Sequence, residues 1–201
     1  MDGKKEKSDA FVRMAMERVA KERIVLDVGG GGRFGKWMRP YESLFAGCDY
    51  KTMDFDVSTG ADIVGDIHAI PLPDSSVDAV ICSSVLEHVR DPLAAMKELR
   101  RIVRPGGQIF LYVPSIYPYH AHKGHYPDYW RFFRDTIDEL FAGCTDIRIQ
   151  KRGGYFLALS FFVPGQAKMR GILNPLAEFF DTLFKTENRS TTAGYYVLAT
   201  T

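Results

Sequence analysis

One segment of the chain joins an acid to a cluster of glycines. Residues 24–26 are apolar, Asp27 follows them, and Gly29, Gly30 and Gly31 begin a run of four glycines. Glycine lets the backbone approach a ligand closely, and the N-terminus of a following helix attracts a negative group. The segment therefore predicts a strand that ends in a ligand-binding turn, with a plain tight turn as the alternative. It is not a Walker A loop, because no Gly-Lys-Ser/Thr follows.

Two more acids follow later strand-like runs. Asp54 stands 23 positions beyond Gly31, where an acid of an open α/β sheet can accept both hydrogen bonds of a ribose diol. The alternative is an exposed acid in a loop beside Asp56. Asp66 and Ile67 end a third run, where the carboxylate can bond an exocyclic amine and the next backbone N–H a ring nitrogen. Because such sheets bind ligands at the carboxyl ends of their strands, these residues predict one site.

The segment 114–131 is rich in aromatic and titratable side chains. It follows the fifth predicted strand, so it leaves the sheet on the ligand side. We interpret it as a substrate loop in which His120 or His125 removes a proton and tyrosines form the walls, namely Tyr117, Tyr119, Tyr126 and Tyr129. A surface loop with solvated histidines is the alternative. We expect no metal site, because His120, His122 and His125 lack the i, i+4 spacing of a helical ligand pair.

Alternating apolar runs and helical patterns must position these residues. The predicted strands are 24–26, 48–55, 61–64, 77–82, 108–113, 146–150 and 195–200. The predicted helices are 8–22, with Ser8 or Asp9 as N-cap, 34–45, the helix that Asp91 and Pro92 open, and 136–142. An apolar helical stretch lies between the last two strands. This alternation predicts an α/β fold, in which helices cover both faces of a parallel sheet.

Composition excludes several classes of protein. The chain has 201 residues, of which 46% are apolar, enough for one domain with its own core. A net charge of +1 disfavours a nucleic-acid binder. Three widely spaced cysteines disfavour a disulfide framework and favour a reducing cytosol, so we expect a cytoplasmic protein. The N-terminus lacks the apolar core of a signal peptide, and we expect no membrane span.

Five motifs occur in order between residues 24 and 113. They read Val25-Leu-Asp-Val-Gly-Gly-Gly31, Gly65-Asp-Ile-His-Ala-Ile-Pro-Leu-Pro-Asp74, Ser76-Val-Asp-Ala-Val80, Val85-Leu-Glu-His-Val89 and Leu99-Arg-Arg-Ile-Val-Arg-Pro-Gly-Gly107. In order and spacing they resemble the class I S-adenosylmethionine-dependent methyltransferases, in the small-molecule branch related to ubiquinone and menaquinone methyltransferases. The resemblance implies a Rossmann-like, seven-stranded sheet whose last strand is antiparallel. It also implies S-adenosylmethionine as cofactor and S-adenosylhomocysteine as product.

The resemblance assigns the cofactor to residues at strand ends. They are Asp27, Gly29, Gly30 and Gly31 for the methionine end, Asp54 with Phe55 for the ribose, Asp66 and Ile67 for the adenine, and Ser83 and Ser84 for the methionine part. One position departs from the family, because Arg33 stands where the third glycine of its loop belongs. Either Gly32 takes that place or the turn is altered, and the departure puts the affinity for the cofactor in doubt.

Two features in the later part of the chain indicate the class of acceptor. Pro127-Asp-Tyr-Trp-Arg-Phe132, and an apolar insertion before Gly194, resemble a subset of these enzymes found among glycan and cell-surface biosynthesis proteins. We therefore expect methyl transfer to a small-molecule or sugar acceptor, at a hydroxyl oxygen. The alternatives are C- or N-methylation of a quinone-like acceptor, and a non-catalytic S-adenosylmethionine-binding scaffold, which Arg33 favours.

We expect a single domain over 1–201 with three parts. An N-terminal helix at 8–22 precedes a cofactor-binding half at 23–113, and 114–201 holds the substrate loop, the helical insertion and the final strands. The apolar stretch 169–184 is interpreted as a packed face or a lid. A homodimer surface and a peripheral contact with a membrane are the alternatives.

Overall fold

The computed structural model describes residues 5–35 and 37–201. Within these ranges it contains seven strands and five α-helices. The strands are β1 (Ile24–Val28), β2 (Asp49–Asp54), β3 (Ile63–Val64), β4 (Val77–Ser83), β5 (Val103–Pro114), β6 (Thr145–Lys151) and β7 (Gly194–Thr200). The helices are α1 (Lys5–Val19), α2 (Pro92–Ile102), α3 (Arg134–Leu140), α4 (Tyr155–Ser160) and α5 (Gln166–Leu183).

All seven strands form one sheet in the order β3-β2-β1-β4-β5-β7-β6. The pairs from β3 to β5 are parallel, whereas β7 is antiparallel to both β5 and β6. The predicted α/β class, the seven-stranded sheet and its antiparallel last strand are therefore confirmed. The helical insertion also lies where it was expected, since α4 and α5 separate β6 from β7.

Each face of the sheet packs against its own helices. On one face Val12, Met16 and Val19 of α1 contact a cluster that includes Phe110 and Leu198. On the other face a second cluster joins the apolar sides of α2 and α3 to alternate positions of the central strands. It includes Met96 and Leu99 of α2, Ile137 of α3, Val80 of β4 and Leu111 of β5. Because side chains alternate along a strand, the apolar central strands bury both of their faces.

Helix α2 begins as the sequence predicts. Asp91 caps it, because its Oδ1 accepts hydrogen bonds from the backbone N–H groups of Leu93 and Ala94 at 3.1 and 2.9 Å. Pro92 occupies the first helical position, where no N–H is required. Asp91 and Pro92 together therefore fix the start of α2.

Several predicted boundaries are wrong. Helix α1 begins at Lys5, so neither Ser8 nor Asp9 caps it, and the Ser8 hydroxyl instead donates to the Lys151 carbonyl at 3.3 Å. The helix predicted over 34–45 is reduced to a 3₁₀ helix at Arg39–Phe45, preceded by turns. Pro40 suits the start of a helix but not its middle, which explains the short element. Lys36 falls within the predicted helix 34–45 and lies outside the described residues.

Two later elements also differ in length from their predictions. Strand β3 has only two residues, whereas 61–64 was predicted, because it is an edge strand that pairs only with the end of β2. Strand β5 starts at Val103 and not at 108, with a register shift between Val77 and Ala79 in its pairing with β4. Among the described residues, no helix is both long and apolar enough to cross a membrane.

Candidate functional site

A cavity of about 860 Å³ opens at the carboxyl ends of the parallel strands. The glycine turn after β1 and the segments after β2 and β3 form one end, and the loop after β5 forms the other. Residues from both ends line it, including Gly29, Gly30, Gly31, Asp54, Phe55, Asp66, Ile67, Ser83, Ser84, Glu87, His88, Tyr117, His120, His122, His125, Tyr126, Tyr129 and Arg152. Most residues predicted from sequence therefore meet in one cavity.

The glycine turn is closely packed against its surroundings. Gly29 has a positive φ of +71°, and a Cβ there would lie 2.3 Å from Val85. A Cβ on Gly30 would lie 2.5 Å from the carboxylate of Asp27. Larger residues would therefore displace the backbone at both positions. Both glycines line the cavity, and the Gly29 N–H donates to the Met53 carbonyl at 2.7 Å. This is the arrangement that a ligand approaching the main chain requires.

Asp27 lies beneath this turn and not on the cavity wall. It is buried, and its Oδ2 accepts a hydrogen bond from the Tyr50 hydroxyl at 2.6 Å, while Oδ1 has no partner. Burial, opposed by the Tyr50 hydrogen bond, raises the pKa of Asp27 from 3.8 to about 6. Asp27 therefore lies outside the residues that line the cavity, and its contact with the cofactor stays a prediction.

The acids after β2 and β3 do line the cavity. Asp54 accepts hydrogen bonds from the backbone N–H groups of Gly31 at 3.1 Å and Asp56 at 2.9 Å, so it ties the glycine turn to the end of β2. Asp66 Oδ1 accepts from the backbone N–H of His68 at 2.9 Å, and this contact lowers the pKa of Asp66. Each carboxylate is oriented locally and keeps lone pairs for a ligand.

Arg33 is held outside the cavity lining. Its guanidinium lies 5.8 Å from the ring centroid of Phe34 and 5.7 Å from that of Tyr50. The close approaches in the turn belong to other residues, since a Cβ on Gly35 would lie 2.9 Å from the Gly30 carbonyl oxygen. Arg33 therefore does not line or obstruct the cavity.

The other end of the cavity brings together three titratable side chains. Glu87 is only 1% exposed, and its Oε1 lies 3.9 Å from Nε2 of His88 and 3.9 Å from Nε2 of His120. Burial raises the pKa of Glu87 to about 8, opposed by its backbone hydrogen bond and the charge of Arg131. Burial also lowers the pKa of His88.

An ion pair anchors the loop that carries His120. Arg131 donates to both carboxylate oxygens of Asp128, at 2.6 and 2.7 Å, which lowers the pKa of Asp128 to about 2. Asp128 Oδ2 accepts from the backbone N–H of His120 at 2.8 Å and lies 3.2 Å from its Nδ1. Two backbone N–H groups, of Tyr129 and Trp130, donate to the Glu87 carbonyl and close the loop over the site.

The remaining loop predictions divide between the cavity and solvent. Tyr117, Tyr126 and Tyr129 line the cavity, whereas Tyr119 does not and is 77% exposed. His125 lines the outer part, with Nδ1 3.4 Å from Asp56 Oδ2 and half of its side chain exposed. Tyr119 is thus the one predicted substrate residue that the fold leaves outside.

Three cavity or support residues were missed by the sequence reasoning. Glu87 stood inside the Leu-Glu-His motif but was given no role, and Asp128 stood in the Pro-Asp-Tyr-Trp-Arg motif. Arg152 had no motif at all. Its guanidinium donates to the Tyr112 hydroxyl at 2.7 Å and lies 5.2 Å from the ring centroid of Phe161. Only the fold brings the end of β6 to this cavity.

Comparisons with known proteins agree with this geometry. The Methyltransferase domain family model matches residues 26–111. An uncharacterized methyltransferase of a Mycobacterium sp. is 32% identical over 116 residues, 54% of this chain and 46% of the relative. A demethylmenaquinone methyltransferase of Bacillus licheniformis is 35% identical over 80 residues, 40% of this chain and 34% of the relative. The chain thus spans less than half the length of these curated relatives.

A solved structure extends the likeness to the whole fold. A SAM dependent methyltransferase from Archaeoglobus fulgidus superimposes with a TM-score of 0.63, covering 99% of this chain and 95% of the other. The two sequences are 17% identical, so this match speaks for the fold alone. It includes β6, β7 and the insertion between them, which lie beyond the family model.

Proposed function

We propose that this chain is a class I S-adenosylmethionine-dependent methyltransferase and that it transfers a methyl group to a hydroxyl oxygen of a small molecule or sugar. The observation that carries the proposal is the two-ended cavity. One end has the glycine turn and the carboxylates of Asp54 and Asp66, and the other has His88 and His120. Cofactor and acceptor would therefore occupy one space of about 860 Å³, a size suited to two small molecules.

The groups at the first end suit the parts of S-adenosylmethionine. The backbone N–H of Gly30, which lines the cavity, suits a carboxylate, Asp54 suits the two ribose hydroxyls, and Asp66 with the Ile67 N–H suits the edge of an adenine. When bound, S-adenosylmethionine supplies a methyl group on a positively charged sulfur, which an incoming nucleophile displaces in line.

At the second end, His120 is placed to take the acceptor's proton. Its Nδ1 lies 3.2 Å from both the Asp128 carboxylate and the Pro118 carbonyl oxygen, which favours a proton on Nδ1. Its Nε2 is then left with a free lone pair that can accept the hydroxyl proton as the acceptor oxygen bonds to the methyl carbon. His125 is the second candidate base, but its half-exposed ring has only Asp56 to orient it.

Two alternatives keep specific support. C-methylation of a quinone-like ring is supported by the similarity to the demethylmenaquinone methyltransferase of Bacillus licheniformis and by the aromatic walls of Tyr117, Tyr126 and Tyr129. A non-catalytic cofactor-binding scaffold was suggested by Arg33, and its support is weaker because the turn accommodates that residue without obstructing the cavity.

Calorimetric titration followed by a transfer assay tests these proposals. We expect both S-adenosylmethionine and S-adenosylhomocysteine to bind the purified chain, and radiolabelled methyl groups to appear in hydroxylated acceptors such as sugars or phenols. Label in the ring carbons of a quinone-like acceptor would favour C-methylation instead. Binding without transfer to any acceptor would favour the scaffold, and a folded protein that binds neither compound would refute the proposed function.

The partners of the chain are also proposals. Helix α5 exposes an apolar stripe, with Met169, Ile172, Leu176, Phe179 and Leu183 between about half and seven-tenths exposed. A lid, a homodimer surface and a peripheral membrane contact are all compatible with such a stripe. A cytoplasmic location and a single domain over 1–201 are likewise retained as proposals, and a nucleic-acid acceptor stays disfavoured by the net charge of +1.

A further inference from the structure

We propose that Glu87, His88 and His120 form a binding site for one divalent transition-metal ion at the acceptor end of the cavity. One ligand atom from each residue lies within 4.8 Å of the other two. These are the carboxylate of Glu87 and the ring nitrogens of the two histidines. The expectation of no metal considered only the loop histidines at 120, 122 and 125, whereas the fold assembles a different set.

The donor set is one that transition metals use. Two neutral imidazoles and one carboxylate bind Zn²⁺, Fe²⁺, Co²⁺ and Mn²⁺, and the same set occurs in catalytic zinc sites. Metal–ligand bonds of about 2.0–2.2 Å place ligand atoms roughly 3.3 Å apart around a tetrahedral ion. The Nε2 atoms of His88 and His120 are each 3.9 Å from Glu87 Oε1, so small side-chain rotations complete the site.

The surroundings of the two histidines also match a metal site. In such sites each imidazole donates its other N–H to a carbonyl or carboxylate, which fixes the ring and frees the coordinating nitrogen. His88 Nδ1 lies 2.5 Å from the Pro127 carbonyl oxygen. His120 Nδ1 lies 3.2 Å from Asp128 Oδ2, and Arg131 holds that carboxylate in place. Both Nε2 lone pairs are thereby directed at the same carboxylate.

Glu87 supplies a second, independent observation. The side chain is 1% exposed, and its Oε2 has no hydrogen-bond partner. Leaving such an atom unpaired costs about 1–3 kcal/mol or more. A proton or a cation can satisfy a buried carboxylate, and a divalent ion in place of the proton would also bind the two histidine nitrogens that face Oε1.

All three residues line the cavity, so the remaining coordination positions would face the acceptor. An ion there would bind an acceptor hydroxyl and lower its pKa, so that the proton would pass to water as the oxygen bonds to the methyl carbon and the carbon–sulfur bond breaks. This part rests on the proposed methyl transfer, but metal binding itself does not. Metal binding and proton removal use the same lone pair of His120, so His120 is the base in the metal-free protein and a ligand in the loaded protein.

Metal titration of the full chain, free of any polyhistidine tag and stripped with EDTA, tests the site. We expect Co²⁺ to bind with a one-to-one stoichiometry and to give visible d–d absorption, and Zn²⁺ to displace it. His88→Ala, His120→Ala and Glu87→Gln should each weaken binding at least about tenfold. His68→Ala and His122→Ala are matched controls, because both histidines line the same cavity outside the trio, and they should bind Co²⁺ as the wild type does.

The same samples are titrated with S-adenosylhomocysteine, which checks folding and separates the two proposals. His88→Gln replaces His88→Ala if the latter does not fold. A wild-type chain that binds S-adenosylhomocysteine but not Co²⁺ would overturn the metal site alone. Equal weakening by His122→Ala and His88→Ala would also overturn it, since the ion would then sit on the loop surface. Metal binding without S-adenosylhomocysteine binding would instead refute the proposed function.

Discussion

The two ends of the cavity are built in different ways. At the cofactor end some contacts lie within two residues, as Asp54 with the N–H of Asp56 and Asp66 with the N–H of His68, and others join neighbouring strand ends, as Asp54 with the N–H of Gly31. At the acceptor end, beside the local pair of Asp128 and Arg131, the contacts join segments that lie farther apart in sequence. His88 meets the Pro127 carbonyl across 39 positions, and Arg152 reaches Tyr112 across 40.

The cofactor end lies in the part of the chain that the family model matches, whereas much of the acceptor end lies outside it. The family model covers residues 26–111, which hold the cofactor end together with Glu87 and His88. The loop with His120 and Asp128, and Arg152 at the start of the insertion, lie outside it. We infer that the cofactor end follows from short strand-turn motifs, while acceptor choice depends on how the later segments fold back over them.

Loss of His120 should have the largest effect and should act at the acceptor end only. We expect His120→Ala to lower turnover by about 100-fold or more, because removal of a general base costs roughly 10²–10⁴-fold. Affinity for S-adenosylhomocysteine should stay unchanged, since the residue lies at the other end. The measurement is kcat with the best acceptor alongside calorimetry. Lys123→Ala, an exposed neighbour outside the cavity lining, is the control. Undiminished turnover in His120→Ala would exclude it as the base.

The buried acid beneath the glycine turn should make stability depend on pH. Asp27 holds its proton more tightly when folded, with a pKa of about 6 against 3.8. Protonated Asp27 therefore adds to the free energy of unfolding. This contribution is complete below pH 3.8, is lost as the pH rises to about 6, and amounts to about 3 kcal/mol in total. The free energy of unfolding of Asp27→Asn should not fall in this way. Urea unfolding at intervals from pH 4 to 7 would measure the difference.

Carboxyl groups with lowered pKa values, such as that of Asp128, change the free energy of unfolding in the opposite direction as the pH rises, and both proteins contain them. The difference between the wild-type and Asp27→Asn profiles therefore isolates the contribution of Asp27. Parallel profiles for the two proteins would contradict the raised pKa. Asp49→Asn, an exposed acid at the start of β2, serves as the control and should follow the wild type.

Removal of the predicted ribose ligand should have a smaller effect, confined to the cofactor end. We expect Asp54→Ala to weaken binding of S-adenosylhomocysteine about tenfold to hundredfold, because hydrogen bonds to a charged group contribute about 1.5–3 kcal/mol. Calorimetry gives the change in Kd. Asp49→Ala, at the opposite end of the same strand, should bind normally, and unaltered affinity in Asp54→Ala would refute the ribose assignment.

The sequence by itself determined the α/β class, the parallel pairing of the early strands and most of the residues that meet at the glycine-turn end of the cavity. These depend on interactions within a few residues, such as the apolar strand before Asp27 and the capping of α2 by Asp91, so they can be seen in local patterns. The helix predicted over 34–45 failed for a related reason, because Pro40 outweighs an apolar pattern that tertiary contacts do not support there.

Only the tertiary structure decided which side chains of the loop reach the acceptor. Tyr119 and Tyr117 are two residues apart and chemically alike, yet the first is exposed and the second lines the cavity. Glu87 and Arg152 line the cavity because the loop and the end of β6 close over the sheet through long-range hydrogen bonds. Such contacts join residues that no local pattern connects, so their outcome depends on the packing of the whole chain.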